Sequence, residues 1–296
     1  MTLKYKNVIY TNIKQVLKNE FHISDRLITV LKKNNCLYLN NENVGINTSI
    51  SKGDEVTISL DFDEEENLNI VPTDMSLNIL YKDEALLIID KPSNMPIHPS
   101  ILHYTDTLSN GVKFYFDKIN LKKKIRPINR LDKDTSGIVI FAKNQYVQEE
   151  LVKQMNSGLF KKEYNAILVG SLKEKSGTIN APIARKENSI IEREVNKNGE
   201  KAITHFELIK KFKYDSNDFS FVKFILETGR THQIRVHSKY IGHPILGDSL
   251  YGEKTDIISR QALHACRVSF IHPINKKIIK IESALPDDIK RILKES

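Results

Sequence analysis

The sequence predicts an α+β protein in which a mainly antiparallel, mixed β-sheet with flanking helices follows a small α/β domain. The apolar run at residues 138–142 has the length and composition of a buried strand. Strand-like runs at 201–210 and 219–226 are joined by a short connection, which favours antiparallel pairing. Helical periodicity over 107–117 and 147–155 indicates helices that cover the sheet.

The domain organisation follows from chain length and from a change in composition. The 296 residues are about twice the length of a typical domain. Residues 61–67 are mostly acidic and Pro72 lies beyond them, a composition that indicates a solvated linker. We therefore expect a small domain with its linker over residues 1–72 and a larger domain over residues 73–296.

The small domain shows the order helix, helix, strand, strand. Ile13 and Val16 stand at helical spacing, and Ser24 is a candidate N-cap for a second short helix. Strand-like pieces follow at residues 37–39 and 56–60, separated by turn residues. This segment therefore has its own mixed secondary structure, distinct from the sheet that follows.

The charge of the chain is uneven. The formal net charge is +8, which favours a polyanionic partner but does not distinguish RNA from DNA or a membrane surface. Residues 1–72 contain 8 Lys and Arg against 10 Asp and Glu, whereas residues 73–296 contain 37 against 27. The excess of basic side chains therefore belongs to the larger domain.

Composition also bears on the compartment. Cys36 and Cys266 are the two cysteines of the sequence, and no Cys/His array has the spacing of a zinc site. The first residues lack the apolar core of a signal peptide, and no segment approaches the roughly 18 apolar residues of a membrane span. We expect a cytoplasmic protein without a membrane segment, and a monomer.

The most informative stretch is residues 126–137, which runs directly into the strand at 138–142. It places Arg130, Asp132 and Asp134 in a short polar segment at the mouth of a core, where side chains can be held rigidly for catalysis. From the residue types alone, an Asx-turn that leads into the strand is the simpler interpretation. A hydrolase using Asp132 and Asp134 as an acid/base pair is weaker, because residues two apart on a strand point to opposite faces.

Two further groups of side chains have simple interpretations. Lysines at 118 and 122–124 indicate a solvated loop, or phosphate contacts if the loop lies beside a nucleic-acid site. His232 and His237 could suggest a metal, but five-residue spacing places them on different faces of a helix. Hydrogen-bonding histidines are therefore favoured.

Residues 130–137 (RLDKDTSG) resemble the catalytic motif of the RluA-type RNA pseudouridine synthases. The resemblance implies that Asp132 is the essential residue. Where the family usually has His before the motif arginine, this chain has Asn129. Residues 90–99, with their Lys-Pro and His-Pro pairs, also resemble the first motif of the family. The resemblance covers residues 75–286 and implies the pseudouridine synthase fold.

Three other motifs resemble those of the same family and imply roles for single residues. The stretch 229–237 (GRTHQIRVH) implies that Arg235 pairs with Asp132. The strand beginning with Lys162-Glu163-Tyr164 implies an active-site tyrosine at Tyr164, and the stretch 262–265 (ALHA) implies that Leu263 lies under the target base. The resemblance leaves Arg130 and Arg230 free to face RNA, with Arg130 filling the space of a flipped uridine.

The helix-helix-strand-strand order of the small domain is similar to an S4-like RNA-binding domain, which this family often carries. The resemblance implies an enzyme that isomerises uridines of ribosomal or transfer RNA to pseudouridine, without a metal or a small-molecule cofactor. The alternative from another class is a non-catalytic RNA-binding platform protein of ribosome assembly. Such a platform needs phosphate and base contacts but not a carboxylate clamped by an arginine.

Overall fold

The structure is a computed structural model that describes residues 1–64 and 69–295. Three residues of the expected acidic linker, Glu65, Glu66 and Asn67, lie outside the described residues. The secondary-structure elements in chain order are β1 (Thr2–Lys6), α1 (Ile13–Gln15), a π-helical turn (Val16–Glu20), α2 (Asp25–Lys33), β2 (Leu37–Leu39), β3 (Glu42–Asn43), β4 (Glu55–Ser59), β5 (Ile79–Lys82), β6 (Leu86–Lys91), α3 (Leu108–Lys118), β7 (Ser136–Ala142), α4 (Gln145–Asn156), β8 (Lys161–Val169), β9 (Ser176–Asn180), β10 (Ile183–Arg185), β11 (Arg193–Val195), β12 (Ile203–Tyr214), β13 (Asn217–Leu226), α5 (Gln233–Tyr240), β14 (Leu263–Ile271), β15 (Ile278–Glu282) and α6 (Asp287–Lys294).

The N-terminal unit is a four-stranded antiparallel sheet, in the order β1-β4-β2-β3, accompanied by the first two helices. The Ser24 hydroxyl accepts a hydrogen bond from the Leu27 N–H (3.2 Å), so the predicted cap begins α2. Strand β1 was not predicted from the sequence, because only Leu3 of its five residues is buried and the strand therefore shows little apolar pattern. The S4-like assignment of this unit and the boundary at residue 72 stay predictions.

A nine-stranded mixed sheet dominates the rest of the chain and confirms the predicted α+β class. Its order is β5-β6-β7-β14-β8-β13-β12-β9, with β15 paired to β14, and every pairing is antiparallel except that of β7 with β14. That parallel pairing joins Ser136 to His264 and Gly137 to Ala265. The residues that precede β7 and β14 therefore lie side by side at one edge.

Gly137 permits this close approach of β7 to β14. Its φ is +115°, a conformation that side chains rarely adopt, and an added Cβ would lie 2.3 Å from the Ala265 carbonyl oxygen. The glycine that ends the RLDKDTSG motif is therefore required by the junction of the two strands.

Helices α3 and α4 cover opposite faces of β6 and β7, close to the predicted bounds. Because both faces of these strands are buried, their sequences are continuously apolar. The side chains that pack with α3 and those that pack with α4 alternate along the strands. The α3 face includes Leu87, Ile89, Val112, Phe116, Val139 and Phe141, and the α4 face includes Leu86, Ile88, Ile138, Ile140, Val147 and Leu151. No helix within residues 1–64 and 69–295 is both long and apolar enough to cross a membrane.

The segment that leaves the N-terminal unit is anchored to the large sheet, so the expectation of a solvated linker is wrong at Glu64. The Glu64 carboxylate is buried and pairs with the Arg126 guanidinium (2.6 Å), and it also accepts the Lys124 N–H (2.9 Å). The Lys123 side chain is buried, and its ammonium donates a hydrogen bond to the Phe62 carbonyl. This part of the lysine cluster therefore holds the linker and is not a solvated loop.

Candidate active site

A cleft of about 750 Å³ opens beside the start of β7 and is lined by residues from several distant parts of the chain. Arg130 and Asp132 come from the turn before β7, Tyr164 from β8, and Arg230 and His232 from the loop before α5. Sequence separation is large, but the central position of β14 and β8 in the sheet brings these parts together.

A small recess at the bottom of the cleft brings in the other predicted residues. Arg235 and Leu263 line it together with Asp132 and Tyr164. All six side chains predicted from the sequence therefore lie in one region of the structure. Asp134 is not among the lining residues of the cleft or the recess, so the acid/base pair of a hydrolase is not assembled there.

Asp132 begins a β-turn rather than lying on a strand. The Thr135 N–H donates to the Asp132 carbonyl (3.1 Å). Upstream, the Asn129 amide donates to the Ile138 carbonyl (2.9 Å) and accepts the Ile140 N–H (3.0 Å). Asn129 thus uses its amide to attach the turn to β7, and its side chain is engaged away from Asp132.

Two buried cations bind main-chain carbonyls of this turn. No role for either was predicted from the sequence. Lys91 is fully buried and donates to the carbonyls of Pro92 (2.8 Å), Met95 (2.8 Å) and Lys133 (2.9 Å). Three acceptors match the three protons of an ammonium group. Burial nevertheless lowers the pKa of Lys91 to about 7.

The second cation is Arg260, which donates to the carbonyl of Asp134 (3.2 Å). The Asp288 carboxylate, at the start of α6, holds this guanidinium through two hydrogen bonds (2.7 and 2.9 Å). The ion pair lowers the pKa of Asp288 although burial acts in the opposite direction. No local pattern could have identified this contact, because Arg260 lies 126 residues after Asp134.

Arg235 joins two carboxylates. Its Nη1 donates to Asp132 Oδ2 (2.9 Å), and its Nε and Nη2 donate to the fully buried Asp248 (2.7 and 2.8 Å). Burial alone lowers the pKa of Arg235, but the ion pairs with Asp248 and Asp132 raise it above its ordinary value. A fork held this way orients the Asp132 carboxylate. No role for Asp248 was predicted from the sequence.

The Tyr164 side chain is buried on β8, with its ring in the recess beside Asp132. Burial is the main cause that raises the pKa of Tyr164 well above its ordinary value, and the nearby Asp132 carboxylate adds to the shift. The hydroxyl is therefore protonated at neutral pH. It can accept a new proton only by passing on its own.

The loop before α5 is held by side-chain amides and histidines. Gln233 accepts hydrogen bonds from the Arg230 N–H (3.0 Å) and the Thr228 hydroxyl (2.8 Å). His237 donates from Nε2 to the Ala181 carbonyl (2.9 Å), with its other ring nitrogen 2.9 Å from the Thr204 hydroxyl. His237 is thus a hydrogen-bonding residue, as predicted.

The two predicted RNA-facing arginines differ. Arg130 is exposed, and across the two described ranges no hydrogen bond or ion pair engages its guanidinium. Arg230 pairs with the Glu200 carboxylate and donates from Nε to the Lys201 carbonyl (3.0 Å). The expectation that Arg230 is free is therefore wrong. Its position in the cleft is as expected, but an RNA phosphate would have to compete with Glu200.

In residues 1–64 and 69–295, no group of three or more His, Cys, Asp or Glu side chains is arranged to hold a metal ion. The charged and aromatic polar groups of the cleft and recess are instead two carboxylates (Asp132 and Glu227), three arginines, a lysine, a phenol and two imidazoles. This set suits the binding of a polyanion and reactions of a carboxylate held by arginine.

Comparison with known proteins identifies this arrangement. The family described as RNA pseudouridylate synthase matches residues 85–240. The uncharacterized RNA pseudouridine synthase YhcT of Bacillus subtilis is 38% identical over 277 residues, which are 94% of this chain and 90% of the relative. Ribosomal large subunit pseudouridine synthase D of Buchnera aphidicola is 36% identical over 257 residues, 81% of this chain and 79% of the relative.

A solved structure shows the same relationship. Human RNA pseudouridylate synthase domain containing 1 superposes with a TM-score of 0.60 at 25% identity, covering 71% of this chain and 83% of that chain. The matched segment includes the Asp132 turn, Tyr164 and Arg235, whose geometry is described above. This chain therefore belongs to the RluA-type RNA pseudouridine synthases and is an isomerase.

Proposed function

We propose that the chain isomerises uridines of large-subunit ribosomal RNA to pseudouridine with Asp132 as its reacting group. The observation that carries this proposal is the contact of Asp132 with Arg235 inside the cleft. The arginine holds a partly buried carboxylate in one orientation, which a reacting carboxylate requires. The same carboxylate would have no reason to be clamped in a protein that serves as a binding platform.

In the proposed reaction, the bond between N1 of uracil and C1′ of ribose breaks, and its electron pair leaves with the uracil. Asp132 either forms an ester with C1′ or takes a proton from C2′ to leave a glycal. The uracil then turns and its C5 bonds to C1′, while the ester C1′–O bond breaks and its electron pair returns to Asp132, or, in the glycal route, Asp132 returns its proton to C2′. The C5 proton is finally lost and N1 gains a proton, so the product is an isomer of uridine. Both routes use the same carboxylate, and both produce a uracil anion next to Asp132.

Tyr164 and Leu263 are proposed to handle the base. Leu263 is buried in the recess and offers an apolar surface under the uracil. The Tyr164 hydroxyl accepts the C5 proton while it passes its own proton on to N1 of the uracil, directly or through water, because a free phenolate is disfavoured in this environment. No metal or small-molecule cofactor takes part in these steps.

Arg130 and Arg230 are proposed to bind the RNA around the target. A uridine must leave its stack to reach Asp132, and the unpaired Arg130 guanidinium can fill the space that it leaves. Arg230 is proposed to leave its ion pair with Glu200 and to bind an RNA phosphate instead. The S4-like unit is proposed to add contacts outside the cleft, in a monomer that works in the cytoplasm.

The ribosomal substrate is inferred from the relatives named ribosomal large subunit pseudouridine synthase D. The test is a pseudouridine map of ribosomal and transfer RNA, made by carbodiimide labelling and reverse transcription, from source cells with and without the gene. The deletion strain is complemented with wild type, Asp132→Asn or Asp134→Asn. Asp134 lies in the same turn but outside the cleft, which makes it the matched control.

We expect one or more large-subunit sites to disappear on deletion, to return with wild type and Asp134→Asn, and to stay absent with Asp132→Asn. Sites lost from transfer RNA instead would contradict the ribosomal assignment. A site restored by Asp132→Asn would contradict the role of Asp132. If no site changed, and the purified protein modified no transcript, the platform function would replace catalysis.

A further inference from the structure

His232 lies at the cleft in an uncommon backbone conformation. It precedes α5 with φ 57° and ψ 20°, in the left-handed region. Non-glycine residues occupy this region rarely, and at functional sites the surrounding structure often imposes it. The side chain is 15% exposed and lines both the cleft and the recess. The fold thus places an imidazole next to the proposed reacting group.

A chain of hydrogen bonds assigns the tautomer of this imidazole. The Arg193 N–H donates to the Tyr251 hydroxyl oxygen (2.8 Å). That hydroxyl lies 2.8 Å from His232 Nδ1, and the described residues offer its proton no other acceptor, so the proton points at the ring nitrogen. His232 Nδ1 is then an acceptor, and the proton of the neutral ring is on Nε2. Burial also lowers the pKa of His232, which keeps the ring neutral.

The Nε2–H group faces the carboxylate. Nε2 is 3.8 Å from Asp132 Oδ2, which is too far for a hydrogen bond. Among the residues that the structure describes, no acceptor lies within hydrogen-bond distance of this nitrogen. Arg235 is not available to donate to a substrate through these atoms, because Asp248 holds two of its three guanidinium nitrogens. His232 is therefore the donor beside Asp132 that remains available when a substrate enters.

In the proposed reaction, the negative charge is transferred from the Asp132 carboxylate to the uracil, close to this donor. Before the reaction the charge is on Asp132. Once the carboxylate has formed an ester or taken a proton it is neutral, and the uracil carries the charge. A fixed donor near both positions lowers the energy of the transition state most when the charge develops next to it.

Resting on the function proposed above, we propose that His232 is a further catalytic residue, a neutral donor whose Nε2–H stabilises the departing uracil anion. It keeps its proton throughout, so it acts by hydrogen bonding and not as an acid. Tyr251 is the positioning residue that sets its tautomer. Its ring also lies 5.0 Å below the Arg235 guanidinium, which connects the two donors of the site.

The test uses three variants of the full-length protein. His232→Asn removes the donor at the position of Nε2, because the asparagine amide reaches only about as far as Nδ1, and asparagine tolerates the left-handed backbone. His22→Asn is the matched control, because His22 has φ 50° and lies in the N-terminal unit. Tyr251→Phe keeps the ring and removes the hydroxyl. Single-turnover rates, RNA Kd and Tm are measured for each on a transcript that wild type modifies.

We expect His232→Asn to lower the single-turnover rate about tenfold to a hundredfold. Its RNA Kd should change by less than about threefold, a small fraction of the binding free energy. Tyr251→Phe should lower the rate by a smaller factor, and His22→Asn should leave it unchanged. A His232→Asn rate within twofold of wild type, or a loss explained by weaker RNA binding, would overturn the proposal.

A second readout does not depend on turnover. Nitrogen-15 NMR of histidine-labelled protein at neutral pH distinguishes the two neutral tautomers and the imidazolium, and the His232→Asn spectrum assigns the signal. We expect the Nε2–H tautomer in wild type and a changed signal in Tyr251→Phe. An imidazolium or an Nδ1–H tautomer would overturn the inference. If wild type and Asp132→Asn were equally inactive on every RNA, the proposed function itself would have failed.

Discussion

The two walls of the cleft are held in place by different kinds of contact. On the Asp132 side, buried cations bind main-chain carbonyls: Lys91 binds that of Lys133 and Arg260 binds that of Asp134. On the α5 side, side chains bind side chains, as in the fork between Arg235 and Asp248. The first arrangement holds the main chain of the turn and does not engage the Asp132 carboxylate, whose hydrogen bond comes from Arg235. The second holds the Arg235 guanidinium between two carboxylates, while His232 Nε2, 3.8 Å from Asp132, has no acceptor among the described residues.

The largest expected effect comes from breaking the α5 wall with Asp248→Ala. A buried guanidinium would lose two of its three hydrogen bonds to carboxylates, and the free energy of unfolding should fall by about 3–5 kcal/mol. Urea denaturation followed by circular dichroism measures the loss. Asp256→Ala, at an exposed position in the following loop, is the control. A loss below about 1 kcal/mol would mean that the fork is not what holds this wall.

Asp288→Ala tests the support of the Asp132 turn. Without the carboxylate, Arg260 is free to leave the Asp134 carbonyl, and we expect kcat to fall about tenfold, equivalent to about 1.4 kcal/mol in the barrier. RNA affinity should stay within about twofold, since the contact is remote from the cleft surface. The neighbouring variant Asp287→Ala, whose side chain is fully exposed, should behave as wild type. Equal effects of the two variants would refute a specific role for Asp288.

Lys91→Met gives a pH-dependent test of the other cation. The pKa of Lys91 is about 7 in the folded protein and 10.5 as its ordinary value, so the unfolded chain binds the extra proton between these values. Stability of the wild type therefore gains from Lys91 as pH rises through this window, by at most about 1.4 kcal/mol per pH unit. The variant lacks this gain.

The destabilisation caused by Lys91→Met should accordingly be larger at pH 9 than at pH 7. Denaturant titrations of both proteins across this range measure the difference, and Lys254→Met, at an exposed lysine, should show no such trend. A constant difference across the range would show that the three carbonyls hold Lys91 as an ammonium throughout, with an ordinary pKa.

The smallest expected effects are on RNA affinity, and they should differ between the arginines on the two walls. Arg130 has no ion-pair partner among the residues that the structure describes, so Arg130→Ala should weaken RNA binding about tenfold, or 1.4 kcal/mol. Arg230 already pairs with Glu200, so Arg230→Ala should weaken binding by no more than about threefold. Filter binding at two salt concentrations measures both variants. A larger effect of Arg230→Ala would mean that RNA displaces Glu200 at little cost.

The strands and helices of the large domain were largely predictable, because a strand buried on both faces is continuously apolar and a covering helix is periodic. The predicted helices over 107–117 and 147–155 correspond to α3 and α4. Strand β1 was missed because an edge strand with one buried residue has little pattern. The acidic linker was misassigned at Glu64, since a carboxylate that pairs with a distant arginine looks solvated in sequence.

The sequence by itself determined the fold class, the family and the short polar turn that carries Asp132, because these depend on local composition and on contiguous motifs. Only the tertiary structure decided which groups support that turn. Lys91 and Arg260 bind it across 42 and 126 residues, and Asp288 holds Arg260 from 28 residues away. Arg230 is engaged by a glutamate 30 residues away. The orientation of His232 was likewise invisible, since it depends on a tyrosine hydroxyl that the fold brings to the ring. Energies of ion pairs and hydrogen bonds act over distances of a few ångströms in space, and proximity in space is what the order of strands in the sheet creates.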